Sequence, residues 1–391
     1  MKFSFKSLLV IFSVALLFSC KKEEVESSYP AVEAKFSDRI DLNNLQDYEG
    51  QTKPAYILKD NSGSNSIKNS VATLGRVLFY DKNLSVNNTI SCSSCHKQSL
   101  AFSDNNVTSI GVNGQTGRHS MRLVNARFSN EVKFFWDERA ASLEEQTTKP
   151  IQDHAEMGFS GQNGDPSIAD LIEKLQALDY YKELFKFTFL TEEISEAKIQ
   201  IALAQFIRSI QSFDSKYDIG RALAPNDGAN FTNFSALENQ GKNLFLAPPQ
   251  FGAGGNRVGG GAGCAGCHQP PEFDIVANTL NNGVVSVAAN ASAIDLTNTK
   301  SPSLRDIFGT SGNLNGQLMH NGAFTTVAQV IEHYNNIPND ATNTNLDPKL
   351  RPGGQTQKLQ LTADEKLALE AFLKTLSGTD MYTNAKWSDP F

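Results

Sequence analysis

The sequence predicts a mainly α chain, made of two related halves in tandem with long loops. Three observations predict it. Helix-start signals recur: Ser235-x-x-Glu238, Thr326-x-x-Gln329 and Thr362-x-x-Glu365 each put a hydroxyl at an N-cap and a reciprocal acceptor three residues on. Apolar residues recur at helical spacing, as in Ile199, Leu203, Phe206, Ile210 and Phe213, while no run alternates as a strand would. The chain also repeats itself. Gly75-Arg76-Val77-Leu78-Phe79 is echoed by Gly241-Lys242-Asn243-Leu244-Phe245, and Ala101-Phe102-Ser103-Asp104 by Glu272-Phe273-Asp274. His119-Ser120-Met121-Arg122-Leu123 is loosely echoed by Lys300-Ser301-Pro302-Ser303-Leu304.

The N-terminus reads as a targeting segment. Lys2 and Lys6 precede a short apolar run, Leu8 to Phe18, too short to remain in a bilayer as a spanning helix. Leu17-Phe18-Ser19-Cys20 resembles a bacterial lipoprotein signal, which makes residues 1–19 the signal and Cys20 the lipidated first residue. Its acyl chains would anchor the protein to a membrane of the cell envelope. Residues 20–65 are polar and are expected to form a tether. The halves are expected at 66–225 and 226–391. The repeat helices run from Ser235 to about Leu246, from Thr326 to Asn336, and from Thr362 to a stop at Gly378. The glycines from Gly252 to Gly263 suggest a flexible loop, since no helix start with Lys-Ser/Thr follows to make a phosphate cradle. A net charge of −7 argues against nucleic acid as a partner.

The chemistry lies in one pentapeptide that occurs twice: Cys92-Ser93-Ser94-Cys95-His96 and Cys264-Ala265-Gly266-Cys267-His268. Together they use four of the five cysteines. Cys-x-x-Cys-His is the attachment signature of c-type haem. Two thiols form thioethers to one porphyrin's vinyl groups, and the adjacent histidine becomes the proximal iron ligand. A thioredoxin-like redox pair does not require a histidine after the second cysteine both times. A zinc site would crowd its tetrahedron with adjacent Cys and His. Haem attachment of this kind takes place outside the cytoplasm, in agreement with the exported N-terminus. The halves therefore read as two tandem cytochrome c-like haem domains carrying two covalently bound haem c groups.

Several short motifs lie around these two: Leu74-Gly75-Arg76, Phe135-Trp136-Asp137-Glu138-Arg139-Ala140, Glu156-Met157-Gly158, Ser303-Leu304-Arg305, His320-Asn321-Gly322 and Phe372-Leu373-Lys374-Thr375-Leu376. With them the chain resembles, from about residue 70 to 380, the bacterial di-haem cytochrome c peroxidase family, which includes the MauG-type enzymes. The resemblance implies a peroxide site at the haem held by His96. The haem held by His268 would take electrons from a small cytochrome c or similar carrier, and hydrogen peroxide would be reduced to water. It implies that Glu156 is the catalytic acid–base carboxyl and that Trp136 lies between the haems and assists electron transfer. It allows one calcium between the domains and leaves a homodimer open.

The sequence departs from the family pattern twice. The family usually carries a distal histidine in a Ser-Ile-Gly-His context, where this chain has Ser109-Ile110-Gly111-Val112. An open, five-coordinate iron follows, with His119 as the nearest replacement ligand or else a structural histidine. The usual distal methionine of the second haem is also missing. Tyr334 falls there, as tyrosine does in MauG-type enzymes, with Met319 as the runner-up ligand. His333 is adjacent but points about 100° away around the helix. His320 is expected to hydrogen-bond at the haem edge, and His154 to be structural. The alternatives are a MauG-like oxidase that modifies a partner protein and a non-enzymatic di-haem electron carrier. A pure carrier needs no proton shuttle, so Glu156 argues against the second.

Overall fold

The computed structural model describes residues 1, 28–129, 133–275, 279–288 and 290–391. The signal segment and Cys20 lie outside the described residues. The described helices are α1 (Pro30–Phe36), α2 (Asn69–Tyr80), α3 (Cys92–Cys95), α4 (Leu143–Thr148), α5 (Ile168–Gln176), α6 (Asp179–Phe189), α7 (Glu196–Ser209), α8 (Lys216–Leu223), α9 (Ala236–Leu246), α10 (Val327–Asn335) and α11 (Ala363–Lys374). The fold is mainly α, as the sequence predicts. The three helix-start signals open α9, α10 and α11, each with its capping box formed. The predicted apolar face of α7 is buried, but the helix stops at Ser209, so Ile210 and Phe213 extend the apolar contact beyond it.

The internal repeat is one packing device used twice. Gly75 on α2 lies so close to α7 that a Cβ there would collide with the Ala202 carbonyl and press on Phe206. Gly241 on α9 meets α11 in the same way, against the Ala368 carbonyl and Phe372. Each glycine lets two helix backbones approach at the centre of an apolar core. The first core gathers Leu74, Val77, Leu78, Phe79, Phe102 and Phe206. The second gathers Tyr217, Phe231, Phe245, Phe273, Leu369 and Phe372.

Three expectations need correction. The span read as a polar tether is packed from at least Pro30 onward. Glu183 on α6 accepts from the Ala31 and Val32 N–H groups (3.1 and 2.9 Å), and Val32, Phe36, Tyr48 and Ile57 are buried. The apolar residues are few but correctly spaced, Val32 and Phe36 being one turn apart, and average polarity hid them. The second unit does not keep all of residues 226–391. Met381 and Trp387 are buried in the first core. There the Tyr80 hydroxyl donates to the Trp387 carbonyl (2.6 Å) and Arg76 Nε to the Ser388 carbonyl (2.7 Å). Strands are also present. β1 (Pro249–Phe251) pairs with β2 (Arg257–Gly260), β3 (His268–Gln269) with β4 (Asp274–Ile275), and β5 (Ser286–Val287) with β6 (Asn290–Ile294), all antiparallel. The β1–β2 hairpin occupies the stretch expected to be a flexible loop. At two to five residues these strands are too short for side-chain alternation to announce them.

A buried ion pair lies beside the second core. Arg305, with no solvent exposure, donates from Nη1 and Nη2 to the two oxygens of Asp218 (3.0 and 2.9 Å), and Tyr56 donates to the same carboxylate (2.8 Å). No helix among the described residues is long and apolar enough to cross a membrane.

Candidate functional site: two cavities with a common wall

Each Cys-x-x-Cys-His motif lines a cavity. The first, of about 460 Å³, is lined by Cys92, Cys95, His96, Phe79, Leu203 and Glu156. The second, of about 590 Å³, is lined by Cys264, Cys267, His268, Met319, Tyr334 and Leu369. His119 to Arg122, Trp136, and Lys300 to Pro302 line both, so the cavities share one wall.

The two histidines are held alike. His96 Nδ1 lies 3.0 Å from the Phe102 carbonyl, and His268 Nδ1 lies 3.2 Å from the Phe273 carbonyl. A carbonyl can only accept, so the proton is on Nδ1 and the Nε2 lone pair is left for a metal. Burial lowers both imidazole pKa values, that of His268 to about 4, which keeps the rings in the neutral, ligating form. Phe102 and Phe273 both have left-handed backbone, at φ of 56° and 55°, and both are fully buried. A bulky residue rarely takes that conformation. Here it turns the carbonyl back onto the histidine in each half. The repeat contains both phenylalanines, but their role is visible only in the backbone.

Burial also pushes the Cys92 and Cys264 thiols up to about 12, far from the activated thiolate of a redox pair. Two thiols and a free imidazole nitrogen in an apolar cavity fit a covalently held haem, and the fit is met twice.

Glu156 is held in the first cavity by a strap. Asp153 Oδ1 accepts from the Ala155 and Glu156 N–H groups (2.8 and 3.1 Å). Val112 N–H donates to the Glu156 carbonyl (2.9 Å) and Asn113 N–H to that of Ala155 (3.2 Å). The segment around Val112, where the family's distal histidine is missing, is thus the strap's backing. Gly111 sits so tightly on the Ala155 carbonyl that no Cβ fits. Among the described residues nothing donates to the Glu156 carboxylate. Burial, then Asp153, raises its pKa to about 7 against the opposing charge of Arg139.

Trp136 is buried in the common wall, and its Nε1–H donates to the His119 carbonyl (2.7 Å). His119 itself turns into protein. Its Nδ1–H donates to the Asn106 carbonyl (2.9 Å), and Nε2 faces Ser103 Oγ (3.4 Å). The Nδ1 hydrogen bond is the arrangement that the structural alternative for His119 expects. In the second cavity, the Asn282 side-chain amide reaches both the Tyr334 hydroxyl (3.3 Å) and Met319 Sδ (3.5 Å). Both ligand candidates therefore point into one region. His333 turns away, its Nε2 lying 2.9 Å from the Asn282 carbonyl. His320 is buried, with neither ring nitrogen hydrogen-bonded among the described residues and its Nε2 3.9 Å from Asp295 Oδ2. His154 pairs with Asp165 at the surface (2.6 Å). Among the described residues no three or more His, Cys, Asp or Glu side chains group as a metal site, which leaves the allowed calcium without a carboxylate cluster.

Comparison with known proteins agrees with this geometry. A family model described as di-haem cytochrome c peroxidase matches residues 69–223. Cytochrome c551 peroxidase of Nitrosomonas europaea is 30% identical over 319 residues, 79% of this chain and 80% of that protein. Methylamine utilization protein MauG of Methylophilus methylotrophus is 26% identical over 325 residues, 81% of this chain and 84% of that protein. Among solved structures, a MauG-like protein associated with microbial copper homeostasis superposes with a TM-score of 0.67 at 29% identity, covering 87% of this chain and 99% of that one. Relatives matched over four-fifths of their length, on a fold that carries the same pair of motifs, settle the kinship: the chain is an oxidoreductase of the di-haem cytochrome c peroxidase family, a family whose members carry two haems.

Proposed function

We propose that this protein reduces hydrogen peroxide to water in the first cavity, with electrons delivered from a small redox carrier through the second. The observation that carries the reading is Glu156: half-buried, lining the first cavity, with no hydrogen-bond donor to its carboxylate among the described residues and with burial of the carboxyl raising its pKa to about 7. Such a group can take a proton from bound peroxide and return it to the departing oxygen. The haem, when bound, supplies the iron that binds peroxide and stores the electrons that reduce it. His96 would hold that iron from one side, with its imidazole fixed by the Phe102 carbonyl. Trp136, in the common wall, lines both cavities and would assist electron transfer between them.

The test is Glu156→Gln, which keeps size and removes the titratable proton. Turnover is expected to fall by about 10² to 10⁴ with both haem spectra native. Normal turnover would end the assignment. Fully ferric wild type is also expected to bind peroxide, because Val112 leaves no side-chain ligand to expel.

A second reading, a MauG-like oxidase acting on a partner protein, is favoured by one observation: Tyr334 lines the second cavity at the position where MauG-type enzymes carry tyrosine. Relatives of both names match this chain over similar lengths. Steady peroxide consumption with a reduced small cytochrome as donor supports the peroxidase. Rapid peroxide reaction without donor turnover supports the oxidase.

A further inference from the structure

Arg122 is a charged group that the proposed reaction does not use. It lies in the common wall and lines both cavities. Among the described residues its Nε is buried without a partner, and the guanidinium's one hydrogen bond is a long one, from Nη2 to the Ser303 carbonyl (3.5 Å). No carboxylate among the described residues comes within ion-pair distance of it. The acidic group that acts on it is Asp306, whose Oδ1 accepts from Gly378 N–H (2.8 Å) and the Tyr382 hydroxyl (3.0 Å) and whose Oδ2 is buried without a hydrogen bond, out of ion-pair reach of Arg122. The other arginines at this interface are paired: Arg118 with Asp137 and Asp295 (2.8 and 2.6 Å), and Arg305 with Asp218. Withdrawing a guanidinium from water without a counter-charge is costly. Its planar fork matches a carboxylate and keeps its charge at any physiological pH. Beside it lie two cavities lined by the haem-attachment motifs, and each haem brings two anionic propionate groups.

We propose that Arg122 is the common anchor for haem propionates from both cavities, and that its one positive charge sets both reduction potentials together. The proposal rests on the di-haem reading and is independent of whether the protein is a peroxidase or an oxidase. A positive charge stabilises the reduced iron relative to the oxidised one at each site. Removing it therefore lowers both potentials. Because one side chain serves both haems, charge on one haem is felt by the other through the same guanidinium.

The experiment is an optical redox titration of purified Arg122→Gln beside wild type, with haem content measured by pyridine haemochrome. Two haems per chain in both proteins keeps the di-haem reading separate from this one. Both potentials are expected to fall in the variant, each by about a tenfold change in the reduction equilibrium, or about 59 mV for a one-electron couple. A fall at one haem alone, or at neither, overturns the shared anchor. Should Arg122→Gln fail to fold, Arg122→Lys keeps the charge and loses the fork. Resonance Raman propionate bending modes are then expected to shift at both haems. Modes unchanged at either haem overturn the proposal.

Discussion

At the scale of single residues, the proposed chemistry rests on two groups and their surroundings. Glu156 is held up near 7 by burial, so its carboxyl changes charge within the working range. As a base it acts when ionised, and turnover in wild type is expected to rise with pH through about 7, a limb that Glu156→Gln should lack. The same shift has a stability cost. A carboxyl whose folded pKa is raised stabilises the fold fully below its unfolded value, and that contribution disappears as pH rises through about 7. Glu156→Gln is therefore expected to resist alkaline unfolding better than wild type. Tyr334 carries the second residue-scale prediction. A phenolate ligand favours ferric iron, so Tyr334→Phe should raise the potential and alter the spectrum of one haem only. If Met319→Leu does this and Tyr334→Phe does not, Met319 is the ligand. Sequence reasoning reached the cysteines, His96, His268, Trp136 and Glu156 because each sits in a short motif. It missed Phe102, Phe273 and Asn282, which act through a backbone carbonyl or an amide whose aim depends on the folded loop. For His119 it left two roles open, and its hydrogen-bond partners are set only in the folded loop.

At the scale of elements, α2 against α7 and α9 against α11 form the paired frame on which both cavities are built. Glycine inside a helix ordinarily costs about 1 kcal/mol relative to alanine. Gly75→Ala and Gly241→Ala would therefore stabilise isolated helices. Here the close approach of Ala202 and Ala368 reverses the sign. Each substitution is expected to destabilise by about 1–3 kcal/mol in denaturant unfolding, as overpacking does. A stabilised variant would show that the helices can separate without loss. Of these, α7, α9 and α11 were legible because N-caps and apolar spacing are local signals, whereas α2 has no side-chain cap to announce it. The two- to five-residue strands were not legible, since their pairing is imposed by turns and neighbours. Nor was α1 legible, where two apolar residues a turn apart suffice because α6 provides the caps.

At the scale of the whole molecule, Arg305 and Asp218 form a buried pair that ties α8 to the loop after the second motif and, through Tyr56, to the N-terminal segment. Burial pushes the Asp218 carboxyl up, but Arg305, aided by Ser215 and Tyr56, outweighs it and holds the carboxyl below the ordinary carboxylate range. Stability from this pair is present above the unfolded pKa and is lost as pH falls through the folded one. Asp218→Asn leaves a buried guanidinium unpaired and is expected to cost about 3–5 kcal/mol near neutral pH. That deficit should shrink in acid, as thermal unfolding across pH would record. An unchanged melting temperature at pH 7 would mean that the pair contributes nothing net. The tandem plan itself was readable from the duplicated motifs. The crossing of residues 380–391 into the first core was not, because nothing local marks a segment for a distant partner.

That crossing bears on the order of assembly. Tyr80 and Trp387 are 307 positions apart, yet their contact helps close the first core. A chain whose last residues have not yet been delivered cannot make it. Closing so long a loop is also late on entropic grounds, since non-local contacts form after local ones. The first motif, Cys92 to His96, therefore stays reachable by whatever attaches its haem until nearly the whole chain has been delivered. The second motif, at Cys264 to His268, will by then have emerged as well. Both haems can be joined to an open chain, and the far segment then seals the first one in.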